Sequence, residues 1–406
     1  MTFDLNILIG GAAGQGVHSI SLPLGKALVR HGAQVFTVQD YQSRVRGGHL
    51  FNVLRVSNRP RFSPREGVDI LVALNQETVN LHRQEVSPEG IVIYDASRVK
   101  EPPQGLRSLA LSHESLVPGT RAGEMAVNAG ACGAVLGLLQ VPVEGLVALL
   151  EQTFAAKGAE VVDWNRRAAQ SGHDLGRTQS FAVSLAELAP PPEPRLLLSG
   201  HEALALGALV AGLNFISGYP MTPWTSLFNA ISQRALKWGV VVEQAEDEIA
   251  AMNLAVGASF AGARAMTGTS GGGFCLMTET VGLAAMTETP LVCVIAMRPG
   301  PSTGLPTRTS QGDLEFVIFA GQDDSPRAVL APGTPAQGYA VAGKAFHLAE
   351  RYQMPVFVLT DQYFGDSQVT HTAGEFPPFR VESTVVREPS PGEYERYVIT
   401  DDGVSP

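Results

Sequence analysis

The chain has 406 residues, 45% of them hydrophobic, which is long for a single domain and enough to build two or three cores. Its formal charge of −10 is spread without a long acidic tail, and no cluster of lysines or arginines marks a nucleic-acid or membrane surface. The opening MTFDLNILIGG lacks a basic region ahead of a signal-length apolar core, and no run of 18 apolar residues follows, so a cytoplasmic protein is expected. Cys132, Cys275 and Cys293 lie far apart in apolar runs and write neither a disulfide framework nor a metal or iron-sulfur ligand set, so any redox centre must come from another chain.

In chain order, a short apolar strand at 7–9 leads into the turn GGAAGQG at 10–16 and a helical pattern reaching residue 30. Further strands are expected at 34–38, 53–56, 70–74 and 91–94, and a helical pair at 125–139 and 143–154 covers them. ELAPPPEPR at 187–195 cannot continue a helix and is the best domain boundary. The alternation then restarts: a helix at 202–211, a strand at 214–217, the loop GYPMTPWTS at 218–226, and the stretch 240–273 with two strands around a helix of small residues. A strand at 291–297, the loop RPGPSTGLPTRTSQGDL, a helix at 335–352 and a strand at 355–359 complete the pattern. The fold class expected is α/β, with two open, mainly parallel sheets flanked by helices.

Four places carry candidate chemistry. GGAAGQG, between strand and helix, can hold an anion through Gly14 and Gly16, although its G-x-x-G-x-G spacing is not the dinucleotide fingerprint; a plain tight turn remains the competing reading. Arg44, Arg46 and His49 surround a glycine pair and suit either a phosphate or carboxylate, or an interface ion-pair set. The two Pro/Gly-stiffened loops after strands present Thr222, Thr225 and Ser226, and Ser302, Thr303, Thr307 and Arg308, a set suited to a small carboxylate. Glu246, Asp247 and Glu248 open the small-residue helix, and helix-dipole reasoning alone does not rank them.

At these motifs, GGAAGQGV, QSRVRGGHLFNVLRVS, GHEALALGALVAG, GYPMTP, QAEDEIAAMNLAVGASFAGARAMTGTSGGG and RPGPSTGLPTRTSQGDL, the chain resembles the 2-oxoacid:acceptor (ferredoxin or flavodoxin) oxidoreductases, as a fused gamma-alpha subunit. The resemblance implies a gamma domain at 1–186, a linker at 187–195, a pyrimidine-binding alpha domain at 196–375, and an extension at 376–406 after which a further domain is missing. It implies thiamine diphosphate shared with a beta subunit that carries Mg2+ and an iron-sulfur cluster, with no metal on this chain. Glu248 would then be catalytic, hydrogen-bonding N1′ of the aminopyrimidine and favouring its imino tautomer, with Tyr219, Pro220, Thr269 and Ser270 around the cofactor. Thr222 and Arg308 would receive the 2-oxoacid carboxylate, and Gly14, Gly16, Arg44 and Arg46 would serve coenzyme A or a subunit contact. The implied reaction is oxidative decarboxylation of a 2-oxoacid, 2-oxoglutarate first and pyruvate, branched-chain or aryl 2-oxoacids after it. The product is the acyl-CoA and the electron acceptor ferredoxin or flavodoxin; a non-catalytic relic of the same fold is the alternative. Three departures stand out: His201 where the family usually has Asn, Gly272 where Pro is common, and Trp224 where a small hydroxyl residue is common, the last expected to bear on substrate size.

Overall fold

The computed structural model describes residues 2–42, 47–120, 124–386, 392 and 394–405, so the expectations for Arg44 and Arg46 lie outside the described residues. The chain divides into two compact units, Met1–Leu197 with Gln368–Ala373, and Leu198–Ser367 with Gly374–Pro406.

In chain order the strands of the first unit are β1 (Asp4–Ala12), β2 (Gln34–Asp40), β3 (His49–Ser57), β4 (Val68–Ala73), β5 (Val86–Asp95) and β6 (Arg107–Leu111). β7 (Arg195–Ser199) starts at its boundary. Those of the second unit are β8 (Phe215–Gly218), β9 (Val241–Gln244), β10 (Ala265–Thr269), β11 (Leu291–Met297), β12 (Ala328–Leu330) and β13 (Pro355–Asp361). β14 (Gln368–Thr372) returns to the first unit, whose sheet has the order β6-β5-β4-β1-β3-β2-β14-β7.

β1 is covered on both faces, with Ile7 and Ile9 in one core and Leu8 in the other, which is why its sequence is a continuous apolar run. It pairs parallel with β4, and β4, β5 and β6 continue in parallel. On its other side β3 pairs antiparallel with β1 and β2, and the link from β2 to β3, residues 41–48, is shorter than the crossover that a parallel pair needs. The larger core is closed by Leu24 and Leu28 of helix Val17–His31, Val135 of helix Glu124–Leu138, Leu146 of helix Glu144–Phe154 and Ala168 of helix Ala159–Arg177. The last helix is absent from the sequence reading, since its buried residues, Ala168, Ala169, Gly172 and Gly176 with Asn165 and His173, include no large apolar side chain. These small residues let two backbones touch: a β-carbon at Gly172 would stand 2.0 Å from the Gly130 carbonyl oxygen.

In the second unit the order is β12-β13-β11-β10-β8-β9, and each adjacent pair runs parallel. β11 and β13 are buried along their whole length, as strands covered by helices on both faces must be. From β8 the chain steps outward to β9 and then returns to the opposite side of β8 as β10. The carboxyl ends of β8 and β10 therefore flank the point where strand order reverses, where open α/β sheets leave a crevice.

Gly172→Ala is expected to cost about 1–3 kcal/mol in urea unfolding. Gly145→Ala, at a helical site where a β-carbon meets nothing within 4 Å, should leave stability unchanged or slightly raised.

Candidate active site

The crevice of the second unit is built from the segments that follow four strands. After β9, Asp247 adopts extended backbone and its side chain accepts from Ala250 N at 2.7 Å, so it is the N-cap of helix Glu248–Phe260. Glu248 is consequently the first helical residue and turns inward. It is 3% exposed, and its Oε1 has no hydrogen-bond partner among the described residues. Glu246 is exposed. Three adjacent acids thus separate by local geometry into a surface charge, a cap and a buried carboxyl.

The helix settles on the sheet through Ser217 of β8, whose hydroxyl donates to the Ala251 carbonyl at 2.6 Å. Opposite Glu248, β10 ends at Thr269, Ser270 follows as the N-cap of helix Gly271–Met286, and both are buried. A β-carbon at Gly273 would stand 2.1 Å from Thr269 Oγ1 and 2.6 Å from Glu248 Oε1, so glycine is required for this approach. The hydroxyls of Thr269 and Ser270 both turn to Met221 Sδ of the loop after β8.

Arg298, immediately after β11, donates from Nη1 to the Thr222 carbonyl at 2.8 Å, while its buried Nε has no partner among the described residues. Burial pulls its pKa down and the Glu248 carboxylate pushes it up, which places a positive charge within electrostatic reach of the catalytic candidate. Sequence reasoning passed over this arginine in favour of Arg308. The available signal was its position as the first charged residue beyond the wholly apolar strand LVCVIAM.

Of the predicted residues, Glu248, Thr269 and Ser270 come together around Gly273 and Met221, and Thr222 joins them through Arg298. Tyr219 and Pro220 are exposed at the start of the same loop, and Arg308 is exposed farther along the loop that Arg298 begins. Trp224, the departure expected to bear on substrate size, lies in the core. It is fully buried, its ring carbons lie 2.4 Å from where a Gly268 β-carbon would stand, and it packs against Phe228. Gly268 and Gly218 leave the volume that the indole fills, so a bulky residue here is a core residue.

In the first unit, Gly14 and Gly16 have φ of 92° and 79°, and Gly16 is the N-cap of helix Val17–His31. The turn is closed by Gln15: its Oε1 accepts from Ala12 N at 2.7 Å and from Asn75 Nδ2 at 3.0 Å, and its carbonyl accepts from Asn128 Nδ2 at 2.7 Å. Nearby in this unit, His49 Nε2 lies 2.8 Å from His82 Nε2. Burial chiefly, and His82 next, lower the pKa of His49.

Among the described residues no group of three or more His, Cys, Asp or Glu side chains is placed to hold a metal ion. No helix among them is long and apolar enough to cross a membrane.

Residues 206–403 match the family described as pyruvate flavodoxin/ferredoxin oxidoreductase, thiamine diP-bdg, and residues 6–175 match pyruvate ferredoxin/flavodoxin oxidoreductase. The 2-oxoacid:ferredoxin oxidoreductase 2, subunit alpha, of Aeropyrum pernix is 33% identical over 99% of this chain and 72% of its own length. The 2-oxoglutarate synthase subunit KorA of Archaeoglobus fulgidus is 46% identical over 42% of this chain and 49% of its own. A solved structure, 2-oxoglutarate:ferredoxin oxidoreductase from Magnetococcus marinus with 2-oxoglutarate, coenzyme A and succinyl-CoA bound, superposes with TM-score 0.84 at 31% identity, over 99% of this chain and 71% of that one.

His201 braces the crevice from beneath: its Nδ1 lies 2.6 Å from Ser226 Oγ and its Nε2 2.9 Å from Thr360 Oγ1. Full burial lowers its pKa from 6.5 to about 3, so the folded protein holds it neutral. Between those two values the unfolded chain binds a proton that the folded chain does not. Stability is therefore expected to fall as pH drops below 6.5, by at most about 1.4 kcal/mol per pH unit from this group. Thermal unfolding of His201→Asn across the same pH range should show a flatter profile than the parent.

Proposed function

The chain belongs to the 2-oxoacid:ferredoxin oxidoreductase family, and we propose that it is the alpha subunit, with a gamma domain fused ahead of it, of an enzyme that oxidatively decarboxylates a 2-oxoacid to the acyl-CoA. Electrons pass to ferredoxin or flavodoxin. Within that assignment the gamma domain is 1–186, the linker 187–195, the alpha domain 196–375 and the extension 376–406. The observation that carries the reading is the buried Glu248 Oε1, which has no partner among the described residues and faces a cradle that a single β-carbon at Gly273 would fill. A buried acceptor left unmade is costly unless a ligand completes it, and a ring nitrogen that shares a proton is such a ligand. The residues present therefore fit the pyrimidine of thiamine diphosphate.

When bound, that cofactor supplies the electron sink for loss of carbon dioxide. Glu248 would hold a proton between its Oε1 and a ring nitrogen, and its position at the head of a close-packed helix fixes the direction of that hydrogen bond. Thr269, Ser270, Tyr219 and Pro220 would border the ring. Arg298 lies within electrostatic reach of Glu248, and its bond to the Thr222 carbonyl sets the loop after β8. Thr222 and Arg298 would take the carboxylate next to the oxo group, with Arg308 left for a second carboxylate, which favours 2-oxoglutarate. Mg2+, the diphosphate-binding groups and an iron-sulfur cluster are assigned to a beta subunit, so this chain alone is inactive. The Gly14–Gly16 turn is assigned to coenzyme A or a subunit contact, and the enzyme to the cytoplasm.

With a beta subunit added, Glu248→Gln is expected to lower kcat by about 10²–10⁴ at unchanged assembly; turnover near that of the parent would refute the proton-holding role. Arg308→Ala should raise KM for 2-oxoglutarate by about tenfold and leave KM for pyruvate within about twofold, whereas Arg298→Ala should raise both.

A further inference from the structure

The loop that begins at Arg298 and ends at Asp313 carries the exposed Arg308 and is tied down at three points besides the bond in which Thr309 Oγ1 accepts from Tyr363 N at 3.4 Å. Arg298 holds its start through the Thr222 carbonyl. Gln311 Nε2 donates to Asp361 Oδ2 at 2.7 Å, and the other oxygen of Asp361 caps the helix after β13 by accepting from Phe364 N at 2.7 Å. The third point is Asp313. It occupies the N-cap position of helix Leu314–Phe319, yet its side chain makes no cap bond there. Instead the carboxylate lies against Gly271, where a β-carbon would stand 2.2 Å from Oδ2 and 2.7 Å from Oδ1.

Gly271 opens a 16-residue helix whose N-cap, Ser270, makes no side-chain cap bond because its hydroxyl is directed at Met221 Sδ. That helix head carries positive potential with no cap of its own, and a carboxylate contributed from 42 positions along the chain answers it. Asp313 Oδ2 is buried and without a hydrogen-bond partner among the described residues, and burial raises its pKa. The same turn, Gly271–Gly273, meets Asp313 at one end and Glu248 at the other, with the Ser302 carbonyl 3.0 Å from a β-carbon position at Gly272. The loop that carries Arg308 is thus seated on the turn that faces Glu248.

We infer that Asp313 is a positioning residue: its carboxylate, set against the uncapped head of helix Gly271–Met286, anchors the loop that presents Arg308 and, with Gln311, determines how tightly the substrate carboxylate is held. The second half of this inference rests on the function proposed above; the anchoring does not. An amide at 313 keeps the shape and loses the charge that the helix head attracts. Glutamate keeps the charge on a longer arm.

Two measurements on Asp313→Asn, Asp313→Glu and Gln311→Ala separate the parts. In the purified chain, trypsin cleavage after Arg308 is expected to accelerate by at least about fivefold in Asp313→Asn and Gln311→Ala, with Asp313→Glu closer to the parent and melting temperatures retained. Cleavage rates equal to the parent in both variants would overturn the anchor. In the complex with a beta subunit, Asp313→Asn should raise KM for the 2-oxoacid about fivefold or more while kcat changes by less than about twofold, because Glu248 is untouched. A fall in kcat at constant KM would overturn the positioning role. If the parent complex turns over no 2-oxoacid, the proposed function fails, and the cleavage rates still decide the anchor.

Discussion

A buried carboxyl beside a glycine turn governs the second unit. Glu248 is drawn out of water at the head of a helix whose cap is already supplied by Asp247, so the helix does not require it as a cap and it is available to a ligand. Its burial depends on Ala251 and Met252 packing behind it, on Ser217 fixing the Ala251 carbonyl, and on Gly273 allowing helix Gly271–Met286 to approach. At Gly273 even a β-carbon would meet Thr269 and Glu248 at 2.1 and 2.6 Å. The glycines of TSGGG are accordingly a packing requirement at 271 and 273, where a β-carbon would meet Asp313 and Glu248.

The sheet explains why the carboxyl is where it is. Because strand order reverses between β8 and β10, the segments after β8, β10 and β11 all reach the same crevice, and the parallel arrangement puts all their carboxyl ends on one side. Polar ties then hold these segments to one another: Arg298 to Thr222, Gln311 to Asp361, and His201 to both Ser226 and Thr360. His201 can serve because its ring has two nitrogens, one donating and one accepting when neutral, and each meets a hydroxyl that can take either part. Trp224 supplies the apolar floor beneath them, filling space that Gly218 and Gly268 leave empty.

The first unit rests on different physics. Its sheet is part parallel and part antiparallel, and its two helices Glu124–Leu138 and Ala159–Arg177 approach through glycine and alanine, with backbone against backbone. The turn Gly11–Gly16 keeps its geometry through the Gln15 side chain, which accepts from Ala12 and Asn75. A glutamine in that place works as an internal strut, and this role is invisible in a motif written as glycines with arbitrary residues between them.

The alternation of apolar runs with small-residue helices was enough to read two α/β cores, because burial on both faces of a parallel strand demands continuous Ile, Val and Leu, as in LVCVIAM and PVFVL. The ordered motifs identified the family and brought Glu248 forward. Local pattern also carried the small residues behind it. What it did not carry was direction: which of three acids points inward is set by the extended backbone of Asp247, and whether Trp224 faces ligand or core is set by two glycines on strands 6 and 44 positions away. Arg298 and Asp313 were legible only as ends of a loop. Their meaning comes from partners distant in the chain, Thr222 and Gly271, which only the folding of β8, β10 and β11 side by side brings within reach.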